Sequence, residues 1–260
     1  MKKKSKLLTL VTMSVLSTTL IAGCSTNKTD SQSKNSGYSQ FQKVSELGSV
    51  TLDKDGSLLD MNKDKAQGLK VDLYIDPECP VCVLLETQSQ EFLSQYIKDG
   101  KINVTYHPIA IFDRKSTDAY SYRGSAYILG AYEYSTKDVA DKFLHNVMNS
   151  DFRPETGTNG YLEKTSDDKF KEAFIKAGGK QEDWNQIIKA KDDLMKRVEA
   201  DTREFANNKD LSKKSPLGEG RVFTPFILIN GQDKALLFDG SPETIGQQFK
   251  KALDDAISKK

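Results

Sequence analysis

Apolar positions along the chain change their spacing several times, and each change marks an element. Residues 7–22 form an apolar run interrupted only by Ser and Thr, too short and too polar for a comfortable permanent membrane span. Residues 25–42 carry Ser, Thr, Asn, Gln, Lys and Asp with almost nothing apolar. Burial cannot repay the entropy of ordering such a segment, so it reads as a flexible tether. Folded structure is expected from about Leu47, opening with a short hairpin: Ser49-Val50-Thr51-Leu52, the turn signal Lys54-Asp55-Gly56, and Ser57-Leu58-Leu59-Asp60-Met61. Leu69–Ile75 alternates with a period of two and predicts a strand. From Cys82 the spacing turns helical through Leu85, Phe92, Leu93 and Tyr96, and Asp99-Gly100 ends the helix. Residues 102–106 predict the next strand, completing a β-α-β unit, and segment 101–113 is a candidate for the sheet edge.

From about 115 to 208 the pattern is helical. Residues 119–134 and 139–148 predict two helices, and Trp184, Ile187, Ile188, Leu194, Met195, Val198 and Phe205 form one long apolar stripe. Lys and Glu runs after Lys164 read as a solvated helix face. Five tyrosines, Tyr120, Tyr122, Tyr127, Tyr132 and Tyr134, read as the packing of an amphipathic helix more readily than as a peptide groove. The sheet resumes at 225–229, turns at Asn230-Gly231 and returns at 235–238. Ser241 as cap and Pro242 as first residue open a final helix lined by Ile245, Phe249, Ala252, Leu253 and Ala256. The fold class expected is α/β. Its parts are a leader at 1–23, a tether at 24–46, a sheet domain at 47–114 and 209–260, and a helical insertion at 115–208 that is not an independent module.

Composition changes this picture little. With 260 residues, 37% hydrophobic and 29% charged, the chain can bury a sizeable core and is neither a multi-span membrane protein nor wholly disordered. Charge matters more. The net +1 becomes −3 once Lys2, Lys3, Lys4 and Lys6 are removed with the leader, and a slightly acidic protein lacks the basic excess that nucleic acid binding needs. The leader has the basic start and apolar middle of an export signal. It ends in Leu20-Ile21-Ala22-Gly23-Cys24, which resembles the bacterial lipoprotein signal, in which the Cys receives a diacylglyceryl chain and becomes the mature N-terminus. A cleaved secretory peptide or an uncleaved anchor is the competing account. Either way the folded part lies outside the cytoplasm, where disulfides persist.

The candidate chemistry is Cys79-Pro80-Val81-Cys82, set where a strand meets a helix. Such a pair serves as a redox disulfide, half a zinc site or a haem attachment site. Zinc lacks further ligands: the only other cysteine is Cys24, and His107 and His145 are in no paired-ligand spacing. Haem attachment needs His at position 83, which is Val. Redox chemistry remains, with a plain structural disulfide as the bland alternative. Pro80 suits the first turn of a helix, which places Cys79 among unpaired backbone donors that favour a thiolate. Cys79 is then the nucleophile, and Cys82, one turn in, the more buried resolving partner. No metal, flavin or nucleotide site is evident, so no cofactor is expected.

Taken with Thr224-Pro225-Phe226-Ile227-Leu228-Ile229-Asn230-Gly231, this arrangement is similar to the bacterial disulfide-bond protein A family within the thioredoxin superfamily, over roughly residues 47–258. The resemblance implies a thioredoxin-like fold with a large helical insertion between the second core strand and the cis-proline strand. It implies that the Thr224-Pro225 bond is cis and faces the Cys79 sulfur, and that the Thr224 backbone pairs with an extended substrate peptide. Pro80, Val81, Thr224 and Pro225 thus join Cys79 and Cys82 as site residues. The partners implied are exported thiol-containing proteins, with a membrane redox partner to reoxidise the pair.

The chain departs from the family's pattern in three ways. Val81 stands where strong oxidases carry His; Leu73 stands six residues before Cys79, where an acid is common, with Asp72 turned to the other sheet face; and Asp76 and Glu78 bring negative charge near Cys79. These bear on redox potential, so a dithiol oxidase is the first reading and a reductase or isomerase the second. A peptide-binding surface lipoprotein with its cysteines locked as a staple is a third, from a different class.

Overall fold

The computed structural model describes residues 41, 43–44, 50–52, 68–113, 119–158, 162–230 and 232–259. The leader, Cys24, nearly all of the tether and the second half of the first predicted hairpin lie outside the described residues.

Four strands form one mixed sheet. In chain order they are β1 (Val50–Leu52), β2 (Leu69–Ile75), β3 (Ile102–Pro108) and β4 (Phe226–Ile229), and their order across the sheet is β1-β3-β2-β4. β2 runs parallel to β3 and antiparallel to β4, while β1 runs antiparallel to β3. The alternation of LKVDLYI is realised: Leu69, Val71, Leu73 and Ile75 are buried, and Lys70, Asp72 and Tyr74 half-buried on the opposite face. β3 is not an edge. It lies between β1 and β2, and all but His107 of its seven residues are buried, as a strand covered on both faces must be.

Helix α1 (Pro80–Lys98) links β2 to β3 and packs against the C-terminal helix, α7 (Ile245–Ile257). Gly246 permits that approach: a Cβ there would stand 2.9 Å from the carbonyl oxygen of Gln88, whose side chain accepts from the Gly246 N–H at 2.8 Å. The start of this helix differs from the sequence expectation. Pro242–Thr244 is a separate 3-10 turn, closed by the Thr244 N–H to the Ser241 carbonyl at 3.1 Å, and the Ser241 hydroxyl caps nothing. The predicted return strand at 235–238 does not form either. Leu236 N–H reaches Ile227 O at 3.0 Å, but Ala235 N–H is drawn to Lys214 O at 2.8 Å, so the segment is diverted from the sheet after one bond.

Between β3 and β4 lie α2 (Tyr120–Tyr134), α3 (Lys137–Val147), α4 (Asp167–Lys176), α5 (Gln181–Asn207) and α6 (Lys209–Lys214). α2 is buried on all sides rather than amphipathic; Tyr120, Tyr127 and Tyr132 are core residues, and Tyr122 and Tyr134 pack at its margin. Gly130 lets α5 come close, since a Cβ would lie 2.9 Å from Ile187 Cγ2 and 3.0 Å from Leu194 Cδ1. On α5, Trp184, Ile187, Leu194, Val198 and Phe205 face inward, but Ile188 is 38% exposed. α4, read only as a solvated face, starts at the Ser166 cap and buries Phe170, Ala173 and Phe174. One continuous core runs from Leu73, Cys82 and Phe249 to Tyr127, Phe170 and Trp184, so the insertion shares the sheet's core. The fold also begins before residue 47. Glu133, in the last turn of α2, accepts from the N–H groups of Lys43 and Val44 at 2.8 and 3.0 Å, and Val44 is buried.

Candidate active site

Two elements meet at the cysteines: the start of α1 and the turn entering β4. Cys79 is the N-cap of α1 and Pro80 the first helical residue. The Cys79 N–H closes a turn onto Asp76 O at 3.0 Å, and its carbonyl accepts the first helical bond from Val83 N–H at 3.1 Å. The sulfur therefore sits beside the unpaired donors of the first turn, where negative charge is favoured. The Thr224-Pro225 peptide bond is cis. It brings the Thr224 carbonyl to 3.2 Å from Cys79 Sγ, which donates its S–H to it. The structure thus brings Cys79, Cys82, Thr224 and the buried Pro225 together, and leaves Pro80 and Val81 exposed on the outer side of the helix start.

Both thiols are free and buried, Cys79 at 1% exposure and Cys82 at 0%. The expected contrast in accessibility is absent because the turn carrying Thr224 lies against Cys79. The contrast lies in acidity instead. The hydrogen bond from the Cys82 thiol draws the Cys79 thiol below its ordinary range against the opposing effect of burial; the Thr224 side chain and the Cys82 backbone N–H add to it, and the nearby Asp76 charge works against it. Burial first, then the Cys79 sulfur as acceptor and neighbour, push Cys82 well above the ordinary thiol range.

Asp76 is fully buried between the sheet and the insertion. Its carboxylate accepts from Ser121 Oγ at 2.5 Å, Glu78 N–H at 2.8 Å and Phe112 N–H at 2.8 Å. Burial outweighs these bonds and pushes it up to about 6. Glu78 is also buried; desolvation, with repulsion from Asp76 and Asp113, carries it up to about 7. Arg153 Nε donates to the Glu78 carbonyl at 3.1 Å. Sequence reasoning saw the two acids only as charges and did not find Ser121 or Arg153. Both belong to the insertion, 45 and 75 positions from the residues they bind, and no local pattern signals such a contact. Asp72 does point away, pairing with His107 Nε2 at 3.2 Å and Lys70 at 3.4 Å. His145 Nδ1 lies 2.5 Å from Glu86, a different partner from that of His107. Among the described residues no three His, Cys, Asp or Glu converge as metal ligands, and no helix is long and apolar enough to cross a membrane.

Comparison with known proteins agrees with this geometry. No curated protein matches the sequence. Among solved structures, the chain is similar to the MdbA protein, a thiol-disulfide oxidoreductase from Corynebacterium diphtheriae, at 22% identity and TM-score 0.56, over 80% of this chain and 92% of that one. It is similar to the reduced DsbA of Mycobacterium tuberculosis at 17% identity and TM-score 0.56, over 81% and 98%. The MdbA protein of Actinomyces oris aligns at 13% identity and TM-score 0.57, over 82% and 90%. These likenesses establish a thioredoxin-like fold carrying a helical insertion. The thioredoxin family's sequence model matches residues 63–254, spanning strand, cysteine pair, insertion and cis-proline turn, and the chain belongs to the thioredoxin family.

Proposed function

We propose that this protein is a thiol-disulfide oxidoreductase that oxidises dithiols of exported proteins through Cys79 and Cys82. The observation that carries the reading is the opposed acidity of two adjacent thiols, one drawn down at a helix N-terminus and against a cis-proline turn, the other pushed up by burial. A structural staple gains nothing from such a difference; an exchange reaction requires it. The similar MdbA protein of Corynebacterium diphtheriae, a thiol-disulfide oxidoreductase, points the same way.

In the oxidised enzyme a substrate thiolate attacks Cys79 Sγ, and the Cys79-Cys82 bond breaks with its electron pair on Cys82. The high proton affinity of Cys82 then captures a proton. A second substrate thiolate attacks the substrate sulfur of the mixed disulfide and expels Cys79 as a thiolate. Substrate loses two electrons, the enzyme gains them, and a membrane redox partner or small oxidant must take them up. The Thr224 carbonyl and the exposed Pro80-Val81 edge are the surfaces on which an extended peptide would lie.

A reductase or isomerase uses the same parts, and the negative charge of Asp76 favours it by opposing the Cys79 thiolate. Equilibrating the purified full-length protein with glutathione decides the direction. An oxidase is expected at roughly −120 to −180 mV; a value near about −270 mV would reassign the protein as a reductase, and a pair that never titrates would leave only peptide binding.

The leader motif supports attachment to the extracytoplasmic face of a bacterial membrane through a lipid on Cys24. Cells fed a labelled fatty acid should incorporate it into the wild type, and Cys24→Ala should lose both the label and sedimentation with membranes. A Cys24→Ala protein still labelled and still membrane-bound would rule the anchor out.

A further inference from the structure

We infer that Arg153 is a specificity-determining residue, which favours substrates carrying a carboxylate next to the reacting cysteine. The inference rests on the oxidoreductase reading and goes beyond it by naming a substrate class. Arg153 sits on the loop that follows α3, and that loop is held on both sides of it. Phe152 is buried with its ring 5.1 Å from Phe170, its carbonyl accepts from Lys169 Nζ at 2.7 Å, and Pro154 is buried. The Arg153 N–H is itself tied to the Asn149 carbonyl at 3.1 Å. A rigid loop thus presents one half-exposed arginine to the active-site turn.

The guanidinium is oriented but not consumed. Its Nε donates to the carbonyl of Glu78, the residue directly before Cys79, at 3.1 Å. Among the described residues its two Nη groups have no acceptor; its charge works against the rise in Glu78, but the Glu78 carboxyl turns to Ser121 Oγ at 3.4 Å and makes no close ion pair with it. The four Nη N–H bonds of this half-exposed side chain therefore remain open to an acceptor beside the nucleophile, fixed at one end by the Nε bond. A planar donor fork held this way suits a carboxylate better than a lysine would, and little side-chain entropy is lost when it engages one. The Thr224 carbonyl lies on the cis-proline side of Cys79 and Arg153 on the Glu78 side. A peptide whose cysteine reaches Cys79 brings its neighbouring side chains within range of Arg153.

The test uses three synthetic dithiol peptides that differ only at the residue beside the reactive cysteine: Asp, Asn or Lys. Oxidation rates are measured with the full-length wild type, Arg153→Gln and Arg153→Lys at low salt and at 1 M salt. Differences in the peptides' own thiol reactivity cancel when the acidic-to-neutral rate ratio of the wild type is divided by that of Arg153→Gln. The expected quotient is about three- to fivefold, the range of a partly exposed ion pair. It should shrink toward one at 1 M salt, where screening acts within about 3 Å, and Arg153→Lys should keep part of it. A quotient of one overturns the inference, as does an equal slowing of all three peptides, which would make Arg153 a brace for the Glu78 turn and no more. If the wild type oxidises none of the peptides, the oxidoreductase reading fails and takes this inference with it.

Discussion

Cys79→Ser is expected to cut dithiol-peptide oxidation by on the order of a thousandfold or more, to the rate set by the oxidant alone, because the thiol of the pair with lowered proton affinity is gone. Ser is close to Cys in volume, and the buried site should keep its packing, so a wild-type unfolding midpoint must accompany the loss. Cys82→Ala should act differently. It keeps the nucleophile but removes the sulfur that returns Cys79 to the internal disulfide, so mixed disulfides formed when the Cys79 thiolate attacks an oxidised substrate should accumulate on non-reducing gels. The same variant also removes the hydrogen bond that does most to acidify Cys79. The Cys79 thiolate absorbance should therefore appear at higher pH in Cys82→Ala than in the wild type. Normal turnover by Cys79→Ser would discard the assigned mechanism outright. Covalent capture through Cys82, with Cys79 replaced, would reverse the roles of the two cysteines.

The parts of this site that are close in sequence were legible. Alternation in LKVDLYI gave β2, and Pro80 set the helix start that leaves Cys79 at its cap. Thr224-Pro225 was found across a gap of 145 positions only because a resemblance tied it to the cysteines; nothing in its own neighbourhood dictates a cis bond. Contacts between distant segments were not legible. The Ser121 bond to Asp76 joins an ordinary-looking helix start to an ordinary-looking turn, and periodicity carries no information about such a pairing.

Errors in the fold have the same origin. α2 reads as amphipathic because tyrosines and serines dilute its apolar positions. Yet tertiary packing encloses it on every side, with the Tyr132 hydroxyl donating to Asp141 at 2.7 Å and the Ser125 hydroxyl to Ile109 O at 2.9 Å. Polar atoms satisfied in this way can be buried, and a count of apolar residues misses them. The strand expected at 235–238 has suitable residues, but the end of α6 competes for its first N–H. Strand propensity cannot register a competitor such as Lys214, 21 positions before Ala235.

Asp76→Asn is expected to change how stability responds to pH by about 3 kcal/mol. In the folded protein burial raises Asp76 from its ordinary 3.8 to about 6. Between those values the unfolded chain has lost the proton while the folded protein retains it. Stability therefore falls as pH rises through this window, by about 1.4 kcal/mol per unit, and stays lower above pH 6. Asn has no proton to lose, so this slope disappears. It does carry a cost of its own: the carboxylate takes three hydrogen bonds, and an amide nitrogen in place of one oxygen leaves a buried donor unmet, at about 1–3 kcal/mol. The variant should thus be weaker than the wild type by about 1–3 kcal/mol at pH 4 and should equal or exceed it by pH 8. Denaturant titrations of both proteins across that range measure the difference directly; the Asp201 slope is common to both and drops out, while the part of the Glu78 slope that comes from Asp76 repulsion is lost with the charge and adds to the difference. The thiols supply a second readout. The Asp76 charge holds both cysteines up, so Asp76→Asn should lower the pH at which Cys79 ionises and make the disulfide more oxidising. Stability curves that stay parallel from pH 4 to 8 would mean that Asp76 stays ionised throughout. The hydrogen bonds from Ser121, Phe112 and Glu78 would then have offset its burial in full.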